Sequence, residues 1–195
     1  MKAINHFQQN RPVHLARRDV YFERASELIH RQQEAYPAVI TLTEYEEILF
    51  LLRVARQQAQ FAIRESGKNE SDEQFGSFIN LLAGNVRAVL SMMNLKLTVE
   101  SSEGSFFSFL GVNQASVALQ AEEYQRRAND IILSLHNTLR LAEDPFGRLK
   151  SENSGSGTEE EGVRYAKARK HFTHLIDEGR HHYKIYKSVR KIAQF

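Results

Sequence analysis

The stretch that most constrains the fold is Thr158 to Ile192, which reads as one long helix with two unlike faces. Thr158-Glu159-Glu160-Glu161 has the form of a capping box. The threonine hydroxyl and the Glu161 carboxylate are placed to accept from backbone N–H groups that a helix start leaves orphaned. Ala168, Phe172, Leu175, Gly179, His182, Tyr186 and Val189 follow at alternating steps of four and three, a seam for burial against other helices. The opposite stripe carries Lys167, Lys170, His174, His181, Lys184 and Lys191, with Lys187 beside it.

Composition agrees with a helical protein. Among 195 residues there are only three prolines and ten glycines, set against many good helix formers. This length suits one domain able to bury roughly two-thirds of its unfolded surface. The chain has no cysteine, which excludes a disulfide framework, a thiolate nucleophile and a cysteine-based zinc site. Its first residues, Met1 to Phe7, lack the apolar run of a signal peptide. No stretch is read as the ~18 apolar residues of a membrane span. The expectation is a soluble intracellular protein of the cytoplasm or nucleus. The net charge of +2 is unevenly spread: residues 1–150 hold 17 Lys and Arg against 18 Asp and Glu, whereas residues 163–195 hold nine against two. The basicity therefore lies on the final helix.

Taken in order, residues 1–12 form a loosely held arm, followed by a helix from about 13 to 35. Val13, Val20, Tyr21, Leu28 and Ile29 share one face of it, and Arg17, Arg18, Arg24 and Arg31 form a basic flank. A second capping box, Thr43 to Glu46, opens a helix over 43–66, with Ile48, Leu52, Ala55, Ala59 and Ala62 inward. The third helix, 72–97, is the most apolar and belongs at the centre of a bundle. Gly76 and Gly84 are small enough to let a neighbouring helix approach it. Phe106, Phe107 and Phe109, between Gly104 and Gly111, form either a short helix plugging the bundle end, which is favoured, or an exposed recognition patch. The fourth helix, 113–143, buries Val117, Ala121, Tyr124, Ala128, Ile131, Leu135, Thr138 and Ala142, and Asp144-Pro145 ends it. Residues 150–157, rich in Ser, Gly and Asn, read as a flexible loop, natural or engineered. The fold class is all-α: an antiparallel bundle of about five amphipathic helices in a single domain, the fifth packing back across the rest.

Two constellations bear on chemistry. His171, His174, Glu178 and His181 project along one side of the last helix and are plausible ligands for zinc or iron. Glu27-x-x-His30 and Glu178-x-x-His181 resemble the Glu-x-x-His pairs of di-iron bundles, but the buried seams of the second, third and fourth helices offer no further inward glutamates. No metal and no cofactor is therefore expected. Arg169-Lys-His-Phe-Thr-His174 resembles the R-x4-H motif of the RNA-cleaving HEPN families, which are also helical bundles. The resemblance covers six residues. It implies His174 as acid/base, Arg169 as the stabiliser of a phosphorane, and a dimer that brings two motifs into one cleft.

No Ser/His/Asp arrangement and no glycine-rich phosphate cradle can be assembled, so an enzyme is disfavoured. The leading reading is a scaffold or interaction module that binds partner proteins through helical grooves or through Phe106, Phe107 and Phe109. The alternative is nucleic-acid binding, with Lys167, Lys170, Lys184, Lys187 and Lys191 neutralising phosphates. A membrane surface is disfavoured, since the basic stripe lacks large apolar residues that insert into lipid. A homo-oligomer is compatible with all of these readings.

Overall fold

The structure, a computed structural model, describes residues 11–34, 42–66, 70–102, 114–155 and 158–192, and in the last segment side chains only as far as Gly179. Five helices are found there: α1 Arg11–Glu34, α2 Leu42–Ser66, α3 Glu70–Ser102, α4 Gln114–Gly155 and α5 Glu159–Ile192. Every described residue except Thr158 is helical, as the apolar stripes and caps require. At the start of α5 the capping box closes in both directions. The Thr158 N–H donates to the Glu161 carboxylate at 3.0 Å, and the Glu161 N–H donates to the Thr158 hydroxyl at 3.3 Å.

Helices α1 to α4 make the core. Consecutive helices run antiparallel and pack on one another, and α4 closes on α1. The centre is aromatic. Phe22 of α1, Phe75 of α3 and Phe146 of α4 meet at centroid distances of 4.7 to 5.4 Å. Such pairs contribute ~0.5–1.5 kcal/mol each beyond the area they bury. Around them Ile48, Leu52, Ile79, Leu82, Val86, Ile132 and Leu135 are fully buried.

Several expectations are corrected. The fourth helix does not end at Asp144-Pro145; α4 continues to Gly155. Pro145 removes one backbone hydrogen bond, at a cost of up to ~3 kcal/mol. Phe146 and Leu149 extend the seam Leu135, Leu139, Ala142 at helical spacing, and their burial holds the turn in place. The loop expected at 150–157 is thus, as far as Gly155, the last part of a helix. Pro12 lies inside α1, in the first turn, where its missing N–H has no intrahelical partner to lose. On α4 the buried residue is Ile132, with Ile131 half-buried beside it.

On α5, Phe172 packs partly against the core as expected, but Leu175 is 42% exposed and Ile176 takes the inward place. No side-chain or backbone atom lies within 4 Å of a Cβ placed on Gly76 or Gly84, so neither marks a close helix approach. Arg18, expected on a basic flank, is fully buried. By length and composition α3 is apolar enough to cross a membrane, against the expectation of no such stretch. Its residues Phe75, Ile79, Leu82, Val86 and Val89 are buried here among the other helices.

Candidate interaction surfaces

Helix α5 does not lie across the whole bundle. Its principal neighbour among the described elements is α1, and the seam between them is largely polar. The Tyr165 hydroxyl donates to Asp19 at 2.7 Å, and Arg169 donates to Glu23, which also accepts from Lys150 of α4 at 2.8 Å. The Arg17 guanidinium stands 5.3 Å from the Phe172 ring and 5.5 Å from that of Tyr21. Behind this seam Arg18 donates to Asp19 at 2.7 Å and to Asp72, at the start of α3, at 3.5 Å. Burial first, then the charge and hydrogen bond of Asp19, raise the Tyr165 phenol well above its ordinary range, so it remains a donor. Partial burial works against the Arg169 charge. The hydrogen bond and charge of Glu23, and then of Tyr165, more than offset it and raise the Arg169 pKa.

This geometry separates the two residues of the R-x4-H motif. Arg169 turns inward to Glu23, whereas His174 is exposed and sits 3.2 Å from Glu178 on its own helix. Five residues of helix rotate them well apart. His171 is also exposed, and the His181 side chain lies outside the described residues. Among the described residues no group of three His, Asp or Glu side chains is placed to hold a metal ion. Of the first Glu-x-x-His pair, Glu27 accepts from Arg24 at 2.6 Å, and His30 reaches Glu143 of α4 at 2.7 Å. The two point to different partners.

Of the basic stripe, Lys167 and Lys170 are exposed, with no carboxylate at ion-pair distance among the described residues. The side chains of Lys184, Lys187 and Lys191 lie outside the described residues, as does the whole of Phe106, Phe107 and Phe109.

A surface that sequence reasoning missed lies between α3 and α4. Asn85 donates to Thr138 at 3.4 Å across the pair. Leu81 stands one turn before Asn85 on its helix and Leu141 one turn after Thr138 on its own. The helices run antiparallel, so the two leucines stand at the same level on adjacent helices. They are 57% and 60% exposed. The only signal for them in the sequence was that each falls off its helix's buried stripe.

A second unanticipated group joins α1 to α4. Glu143 accepts from Ser26 at 3.1 Å as well as from His30. Two turns away on α4, His136 is buried with neither ring nitrogen in a hydrogen bond. Burial first, and then the proximity of His30, lower its pKa below the usual 6.5. Compared with protein-family models, curated proteins and solved structures, the chain matches none.

Proposed function

We propose that this chain is a non-catalytic interaction module and that its ligand is a partner protein, seated across α3 and α4. The observation that carries this is the pair Leu81 and Leu141. Two large apolar side chains, both more than half exposed, stand at one level on the adjacent helices α3 and α4. Exposing such residues together is costly unless something covers them. A partner helix laid across the two gains apolar burial from both leucines. The test is capture of protein by the wild-type chain and by Leu81→Arg/Leu141→Arg. Both substitutions fall on exposed positions, so circular dichroism should be unchanged while specific capture is lost. Capture undiminished in the variant contradicts the proposal.

A second reading rests on a different observation, the exposed Lys167 and Lys170 of α5, which have no carboxylate at ion-pair distance among the described residues. These would bind phosphates of RNA or DNA by releasing counterions, with little regard for sequence. Binding to a mixed-sequence duplex at ~50 mM salt, lost on raising salt fourfold, would favour it.

A further inference from the structure

Helix α2 carries its acids at its two ends, Glu44, Glu46 and Glu47 at the start and Glu65 at the finish. From Ile48 to Arg64 it has neither Asp nor Glu, and that stretch holds Arg53, Arg56 and Arg64. All three arginines are exposed, with no carboxylate at ion-pair distance among the described residues. Elsewhere the chain neutralises such groups within a turn. On α4, Arg126, Arg127 and Arg148 each meet a carboxylate three or four residues away, and on α3 Lys96 meets Glu100. No acid stands three or four residues from an arginine of α2, and Glu65, adjacent to Arg64, turns to His14 instead.

Aromatic rings run beside these arginines. Phe50 and Phe61 are eleven residues apart, about three helical turns, and so share one side of α2. Phe50 is 58% exposed. Its ring is backed by that of Tyr21, buried in α1 at a centroid distance of 6.4 Å, and is otherwise open. Phe61 is half-buried, with the His14 ring at 5.2 Å and the Arg64 guanidinium at 6.0 Å. Gln57 and Gln60, both exposed, occupy the stretch between the two rings. From Phe50 to Arg64 the face is roughly 21 Å long at 1.5 Å per residue.

We infer that this face of α2 binds single-stranded nucleic acid. Three cations without a carboxylate partner call for an anionic ligand, and the planar guanidinium matches phosphate geometry. Phosphate alone leaves the open Phe50 ring without a role, whereas an unstacked base offers it a π-face. A nucleotide carries the charge and the ring together; an acidic peptide satisfies the arginines through carboxylates that bring no ring with them. A duplex keeps its bases stacked inside and presents the arginines with its backbone only. A membrane surface needs a broad apolar face, and here one open phenylalanine stands among arginines and glutamines. The glutamine amides both donate and accept, so base edges of any kind can meet them and sequence preference is slight. The face lies on a different helix from Leu81, Leu141, Lys167 and Lys170, and rests on neither reading above.

The test is fluorescence anisotropy of a labelled oligouridylate of about 20 nucleotides with the full chain, at about 50 mM salt and then at rising salt. The wild type is expected to bind, with a log–log salt slope approaching about −2 for three phosphates neutralised on a single strand. Arg53→Gln/Arg56→Gln should weaken binding about tenfold or more and make that slope shallower by about 1.4. Phe50→Ala should weaken it about tenfold with the slope unchanged, and Phe50→Trp should restore it. Lys167→Gln/Lys170→Gln should bind as the wild type does, which separates this site from α5. All of these positions are exposed, so circular dichroism should be unchanged throughout. A wild type that does not bind, a Phe50→Ala protein that binds as tightly as the wild type, or a loss in the lysine variant with none in the arginine variant each overturns the inference. So does a DNA duplex or polyglutamate that competes as well as unlabelled oligouridylate.

Discussion

The Tyr165 hydroxyl lies 2.7 Å from an oxygen of Asp19 whose carboxylate is otherwise held by the buried Arg18. Through this contact a surface helix is tied to a charge inside the bundle. Removing the hydroxyl leaves a buried carboxylate short of one donor, at ~1–3 kcal/mol. Tyr165→Phe should therefore loosen α5 selectively. Hydrogen exchange of α5 amides should accelerate while those of α3 keep their protection. Equal effects on both helices would mean that α5 is not a separable unit.

Arg18 is the more severe site. Its guanidinium is fully buried between Asp19 and Asp72, 5.6 Å from the Phe75 ring. Arg18→Ala removes the cationic partner of two buried carboxylates, Asp19 and Asp72, for which ~3–5 kcal/mol is typical. Urea denaturation should show a loss in that range, whereas Arg31→Ala, at an exposed position of the same helix, should change stability by less than ~0.5 kcal/mol.

The local devices were legible in the sequence, and the long-range ones were not. The Thr158–Glu161 box could be read because both partners lie within one turn and bond to each other. The seams of α2 and α3 could be read because five or more apolar residues repeat at helical spacing. Arg18 could not, because one of its partners, Asp72, is 54 positions away. Nothing about an arginine flanked by Arg17 and Asp19 distinguishes a buried residue from a solvated one. On α5 the apolar pattern admitted either Leu175 or Ile176 inward, and the polar contacts of Tyr165 and Arg169 with α1 set the rotation. At Pro145 a sound local rule lost to the burial of Phe146 and Leu149 beyond it. For the exposed leucines of α3 and α4 the one local signal was that each falls off its helix's buried stripe, which does not tell a docking residue from a solvated one.

That rotation of α5 and α4 can be tested by truncation in pairs. Ile132→Ala should cost ~2–5 kcal/mol and Ile131→Ala distinctly less. Leu175→Ala, at an exposed position, should cost under ~0.5 kcal/mol, while Phe172→Ala costs more. Thermal or urea unfolding gives these values, and a reversed order within either pair would place the wrong face inward.

His136 makes stability depend on pH in a definite direction. Its folded-state pKa is lowered, so the unfolded chain takes up its proton first as pH falls. Its contribution is intact above about pH 6.5 and is lost as pH falls from there toward the lower folded-state pKa. His136→Leu should flatten the fall in unfolding free energy between pH 7.5 and 5.5. It leaves the neighbouring His30–Glu143 contact in place as a common background. A wild type and variant with parallel pH profiles would remove His136 from the account.

The central claim is that the surface carrying Leu81 and Leu141 receives a protein. It is tested most directly by a photo-crosslinking residue placed at position 141 in one chain and at position 167 in another, with the bound material identified after irradiation. The account predicts a discrete protein adduct from position 141, competed away by unlabelled wild-type chain but not by Leu81→Arg/Leu141→Arg. Adducts from position 167 alone, made to nucleic acid, with nothing specific at 141, would contradict it.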